Sequence, residues 1–252
     1  MPDNTINWGQ GAVNNTNDWG KAKANATNNF GAIYDDSPSG DTNIEGGSTP
    51  TPPLAQVSNV YSMEFDGTND YIDLDEYVFS GLTSLSISCW YNLNSTSGDQ
   101  AILAQYIEAP TNRGILLYHD DPNGWAFYIN TNAGLKSFQS TFTATASVWQ
   151  HLVVTYESGV GIKIYLNGTA QSSGILSGTT VNPTPSEFTI GRDGASGSFT
   201  RFLNGKLDEL AVFNTALTAQ EVLDIYNATE TGKTADLNDL TTPPVKWYRM
   251  GD

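Results

Sequence analysis

The sequence predicts an all-β chain: a two-sheet antiparallel jelly-roll sandwich with one short C-terminal helix, preceded by an extended N-terminal arm. Three observations carry this. Ten short segments rich in β-branched and aromatic residues, from YSMEFDG to KLDELAVFN, follow one another from Tyr61 to Asn214. Turn clusters such as Asp121-Pro122-Asn123-Gly124 and Glu157-Ser158-Gly159 separate them. Ile162, Ile164 and Leu166 alternate with Lys163 and Tyr165, the period of a strand with one face inside. Many strands at short spacing, with almost no helical pattern between them, make a sandwich or jelly roll. Only 15% of the 252 residues are charged, as suits a loop-rich β protein.

The first element is the arm, residues 1–47. Trp8-Gly9, Trp19-Gly20 and Phe30-Gly31 fall eleven residues apart, with Asn7, Asp18 and Asn29 just before them. This is an internal repeat. Asn, Gly and Thr are poor helix formers, so an extended arm is expected. Each ring gains about 5 kcal/mol on burial at ~25 cal/mol/Å². Ordering about 40 residues costs about 40–80 kcal/mol. The arm therefore needs another surface, a second subunit or the jelly roll, and the three aromatics read as pegs. Residues 48–56, STPTPPLAQ, form a stiff, extended linker.

The jelly roll is assigned to residues 57–230. Its one helix is read in LTAQEVLDIYNA, where Thr218 and Glu221 make a capping box and Leu217 can staple onto Val222. Residues 231–252 are an extension whose VKWYRM run reads as a final strand. That strand either folds back onto the sandwich or pairs with a neighbouring chain.

The segment VWQHLVVTYESGVGIKIYLNGT resembles the central hairpin of the laminin-G-like, concanavalin A-like jelly rolls. MEFDGTNDYIDL resembles the opening strands of that family, FTIGRD an inner strand, and FLNGKLDELAVFNTALTAQEVLDIY the closing strand and helix. The resemblance covers residues 60–228. It implies two curved sheets, often with a bound calcium ion and with carbohydrate or protein binding. The repeat and the WYRMGD ending resemble virion proteins of tailed phages, marine cyanophages in particular.

Net charge and single residues narrow the chemistry. A net charge of −16 offers no cationic field to nucleic acid or to an anionic membrane, so neither partner is expected. A lone Cys89 permits no intramolecular disulfide. Residues 1–30 carry no signal-peptide core, which points to synthesis in a host cytoplasm and, with the phage resemblance, to a virion. Glucanases of the resembled fold carry Glu-x-Asp-x-x-Glu; here Glu64-Phe65-Asp66 is followed by Gly67, Thr68 and Asn69, so the second Glu is missing. No nucleophile–base pair suggests itself with two histidines and one cysteine, and a catalytic site is not expected.

Two binding sets remain. Asp66 and Asp70 in a tight turn, with Asp208 and Glu209 on the closing strand, could bring oxygen ligands to a structural calcium ion; alternatively they are ordinary acidic turns. YHDDPNGW supplies Tyr118, Asp120, Asp121, Asn123 and Trp125, and GRDGASGSFTR adds Arg192 and Asp193. Together they suit a glycan site, an aromatic platform beside polar groups on loops, unless Trp125 belongs to the core. The expected function is a phage virion structural protein, a capsid decoration or a head or tail fibre. Its arm, through Trp8, Trp19 and Phe30, would hold it to other virion proteins and to copies of itself. Its jelly roll would be free for weak glycan or host-surface contact. The rivals are a free carbohydrate-binding module and, behind it, a glycoside hydrolase.

Overall fold

The computed structural model describes residues 53–74, 76–106, 114–175, 178, 180–182, 188–193 and 201–251. All of them belong to the second of two compact units, Pro53–Asp252. The repeat arm, with Trp8, Trp19 and Phe30, lies outside the described residues, as does most of the linker.

Fifteen strands and one helix run in the order β1 (Gln56–Ser58), β2 (Met63–Asp66), β3 (Ile72–Leu74), β4 (Ser84–Leu93), β5 (Gln100–Gln105), β6 (Ile115–Asp120), β7 (Gly124–Thr131), β8 (Gly134–Gln139), β9 (Gln150–Glu157), β10 (Gly161–Leu166), β11 (Thr169–Gly174), β12 (Phe188–Ile190), β13 (Asn204–Phe213), α1 (Ala219–Asn227), β14 (Lys233–Ala235) and β15 (Lys246–Tyr248). One sheet has the order β11-β10-β9-β4-β13-β15, with β2 also on β13; the other is β3-β12-β5-β6-β7-β8. Every pairing is antiparallel. The sandwich core lies between the sheets, where alternate residues such as Ile87, Cys89 and Tyr91 of β4 meet Leu117, Trp125 and Phe127. Its buried polar atoms are linked: Trp125 Nε1 donates to Tyr91 Oη at 3.2 Å, and Tyr91 Oη donates to Gln150 Oε1 at 3.1 Å.

A third layer covers the outer face of the first sheet. Thr218 caps α1 with the capping box in place, and Leu217 and Val222 are buried in one cluster with Val153, Tyr165, Phe213 and Leu237. After residue 230 the chain continues within the same compact unit. β14 pairs with β1, and β15 pairs with β13, so the final strand folds back onto its own chain.

β2 and β15 share one edge of β13. β2 pairs with Asn204–Leu207 and β15 with Leu210–Val212. Asp208 and Glu209 fall in the gap, where the register with β4 slips and Glu209 takes φ +50°. The buried Glu209 carboxylate accepts from Asn59 Nδ2 at 2.7 Å, Trp247 Nε1 at 2.7 Å and Arg249 Nε at 3.3 Å. It clasps the chain before β2 to the chain around β15.

Candidate functional site

The antiparallel order of the second sheet brings four loops to one end. The start of β3 pairs with the end of β12, the start of β5 with the end of β6, and the end of β6 with the start of β7. Loops that are far apart in sequence thus meet along a single rim. The face of this sheet is closed: Ala104, Leu116 and Ala126 are buried, and so is Tyr118.

Arg201 ties the centre of the rim together. Its Nη1 lies 2.7 Å from Asp193 Oδ2 and its Nε 3.4 Å from Asp99 Oδ2, and its guanidinium sits 4.9 Å from the centre of the Tyr118 ring. Asp99 Oδ1 accepts from the Asp121 amide at 3.2 Å, and Asp121 Oδ2 accepts from the Gly98 amide at 2.9 Å. Asp120 accepts from Asn123 Nδ2 at 3.3 Å, which holds the turn in shape. Asp121 and Asn123 stay exposed.

One flank of the rim is aromatic. Arg192 packs its guanidinium 3.7 Å from the centre of the Tyr71 ring and pairs with Asp73 Oδ2 at 3.2 Å. Tyr71 remains 43% exposed. Gly191, just before Arg192, must be glycine: its φ is +87°, and a Cβ there would meet the Phe65 ring at 2.5 Å.

The structure therefore brings Tyr118, Asp120, Asp121, Asn123, Arg192 and Asp193 to one end of the sheet. It removes Trp125 as a platform. Trp125 is fully buried because β7 turns it to the core, T-shaped against Tyr91 at 4.7 Å. An exposed aromatic beside these loops is Tyr71, which is not among the residues expected from the sequence. Its only sequence signal is an aromatic at the start of a strand whose partner ends in Gly-Arg-Asp.

The calcium set is not assembled. Asp66 pairs with Asn204 in β13, four residues from Asp208, a separation of about 13 Å at about 3.3 Å per residue. Asp66 Oδ1 accepts from the Thr68 and Asn69 amides, and Asp70 Oδ2 from the Asp66 amide, while Glu209 serves the clasp. Among the described residues, no group of three or more His, Cys, Asp or Glu could hold a metal ion.

Beneath the rim lies His119, buried against Trp125 at 5.5 Å and beside the Gly98 backbone. Burial pushes its pKa down, opposed by the nearby Gly98 backbone and by Asp121, Asp99 and Asp120. His151 lies under α1, its Nε2 2.9 Å from Ser88 Oγ, and burial pushes its pKa down to about 3. A separate groove of about 270 Å³, at the far end of the first sheet, is lined by Thr155, Lys163, Ser173 and Ile175 and offers no aromatic ring.

Comparisons with known proteins bear on the fold. Residues 66–223 match the Laminin_G_3 family, described as the concanavalin A-like lectin/glucanases superfamily. No curated protein matches in sequence. Among solved structures, a "putative carbohydrate binding protein" of Bacteroides ovatus ATCC 8483 superposes with a TM-score of 0.58 at 17% identity, over 81% of this chain and 54% of that one. The chain thus spans about half the length of that protein. The heptameric SAP-like pentraxin of Limulus polyphemus gives 0.52 at 14% identity, over 74% and 89%. The sialidase CBM40 of Ruminococcus gnavus, bound to α2,3-sialyllactose, gives 0.54 at 15%, over 69% and 100%. At these identities the likeness shows the fold, and with more than half of its length matched, the chain belongs to the Laminin_G_3 family of concanavalin A-like lectin/glucanase domains.

Proposed function

We propose that the chain is a non-catalytic carbohydrate-binding module whose site is the rim running from Tyr71 to Asn123. One observation carries this reading: an exposed tyrosine, held flat by Arg192, stands at the end of a row of carboxylates and amides already fixed by Arg201 and by backbone amides. An apolar ring face beside fixed hydrogen-bonding groups suits a sugar, which has an apolar face and a hydroxyl edge. Groups ordered before binding lose little entropy on binding. Two of the structural neighbours are carbohydrate binders by name, in keeping with this reading.

Calorimetry against a panel of neutral and charged oligosaccharides tests it. Tyr71→Ala is expected to weaken binding at least tenfold, about 1.4 kcal/mol, with an unchanged melting temperature. Equal affinity in the variant would move the site elsewhere.

A finer reading places this module on a phage particle, held there by the arm. The eleven-residue repeat of Trp8, Trp19 and Phe30 supports it. Replacing all three with alanine is then expected to abolish incorporation while leaving glycan binding intact. Normal loading of the triple variant would reduce the repeat to a tether.

A further inference from the structure

We propose that α1 is an acid-operated latch: proton uptake at His151 loosens the helix from the first sheet while the sandwich core beneath it stays closed. The latch is independent of the glycan rim, which lies at one end of the second sheet.

His151 stands on β9 at the junction of sheet and helix. Its buried ring stacks against Trp90 of β4 at 5.1 Å and Tyr226 of α1 at 6.2 Å. Trp90 and Tyr226 stack on each other at 5.8 Å, so the three rings join the two layers. Nε2 meets Ser88 Oγ at 2.9 Å, and Nδ1 is buried with no partner among the described residues. A cavity of about 10 Å³ beside the ring is lined by Ser88 and Glu209 of the sheet, Ile225 of the helix, and Thr234 and Leu237 of the chain after it. It has room for about one water molecule, a neutral partner that suits a neutral ring and does not offset a charged one.

An imidazolium carries two N–H donors and a charge, and burial without a counter-ion disfavours it. The ionisable groups on the elements packed against the ring are engaged elsewhere or turned away. On β13, Glu209 already accepts from Asn59, Trp247 and Arg249, and Asp208 accepts from the Glu209 amide. On α1, Glu221 closes the capping box and Asp224 accepts from Gln220 Nε2. After the helix, Lys233 pairs with Glu230, Asp236 accepts from the Asn238 amide and Asp239 from the Ala55 amide. Cys89 and Tyr91 of β4 and Tyr156 of β9 face the core, and Glu157 is exposed. On β10, Lys163 is exposed and Tyr165 is buried in the helix cluster. Burial pushes the His151 pKa down to about 3.

The helix can leave without opening the core. Val222 and Ile225 sit in a cluster with Val153, Tyr165, Ala211 and Phe213 that is separate from the sandwich core. β14, which follows the helix, pairs with β1 and with neither sheet. Loosening α1 returns the His151 ring to water and its pKa to about 6.5. The loosened form therefore takes up the proton, and below pH 6.5 its population relative to the closed form rises about tenfold per unit. From pH 7.5 to 5 the rise amounts to about thirtyfold. It uncovers an apolar strip of the first sheet, Val153, Ala211 and Phe213.

Amide hydrogen exchange of the full chain tests this, read by NMR at several pH values and corrected for the intrinsic exchange rate. The amides of residues 222–228 are expected to be less protected than those of β6 and β7 throughout, and to lose protection about thirtyfold between pH 7.5 and 5. The loss should set in near pH 6.5. His151→Gln keeps a neutral hydrogen-bonding group beside Ser88 and is expected to hold the change below about threefold. Should that variant not fold, the wild-type profile decides by itself. Equal protection of α1 and the core strands would mean that the helix leaves only when the whole domain unfolds, which overturns the latch. A wild-type change below threefold, an onset below pH 5, or an undiminished loss in His151→Gln overturns it as well.

Discussion

Glu209 shows how one side chain can be read two ways. In sequence it is an acidic residue on a closing strand, available to a cation. In the structure its carboxylate is saturated by three donors, and its backbone sits at φ +50°, where a Cβ is strained. Glu209→Ala takes the acceptor from Trp247 Nε1 and from Arg249 Nε, whose Nη2 still donates to Ser58 O, and is expected to destabilise the domain by about 3 kcal/mol. Glu209→Gly loses the same bonds but relieves the backbone, so it should be about 1 kcal/mol more stable than the alanine variant in urea unfolding. A glycine variant no more stable than alanine would show that the left-handed conformation is not strained. His151 yields the second residue-scale prediction. Its folded pKa, about 3, lies below the unfolded value near 6.5, so the unfolded chain binds the extra proton. Stability is then fully present above pH 6.5 and falls as pH drops towards 3, by at most about 1.4 kcal/mol per unit from this group. His119, also shifted down, acts in the same direction. Urea midpoints measured from pH 7.5 to 5 should fall less steeply in His151→Leu; an unchanged slope would assign the acid sensitivity to other groups. The site was half legible for the same physical reason throughout. Asp120, Asp121, Asn123, Arg192 and Asp193 sit in turns, which sequence marks well. Inward or outward facing of Trp125 and Tyr71 depends on strand register, which local sequence does not state.

At the scale of elements, legibility follows burial. All ten strands expected from sequence are present, because each has at least one face in the core and its apolar residues record that. β8, β11 and the short β1 and β14 were missed. GLKSFQ and TAQSSG are the outermost strands of their two sheets, largely exposed, and carry polar residues on both faces. They are strands because a neighbour offers an edge, not because of their own pattern. The helix was legible from its cap. The partner of the final strand is not, because VKWYRM looks the same whether it pairs at home or abroad. Pairing at home has a direct consequence for truncation. A chain ending at residue 240 loses β15, bares the Leu210–Val212 edge of β13 and leaves Glu209 with Asn59 as its remaining clasp donor. It is expected to melt at least 10 °C lower than residues 53–251, or to bind ANS as a loosened state. Equal melting temperatures would mean that β15 contributes nothing to the sandwich.

At the scale of the whole molecule, charge and topology act separately. The net charge of −16 sets the field around the molecule; the arrangement of strands decides when the sandwich can close. β13 stands in the middle of the first sheet, yet its second edge is completed by β2 from the beginning of the domain and β15 from its end, locked by one carboxylate. During synthesis, then, the ribosome must release residues 246–249 before the edge can close, although almost the whole core has already emerged. Stalled nascent chains should remain protease-sensitive while this stretch is held in the exit tunnel and become resistant in one step once it clears. Resistance gained earlier would show that the sandwich closes without its last strand. A chain cut short anywhere before residue 246 would thus leave this edge of β13 open to proteases, so that strand order makes resistance wait on β15.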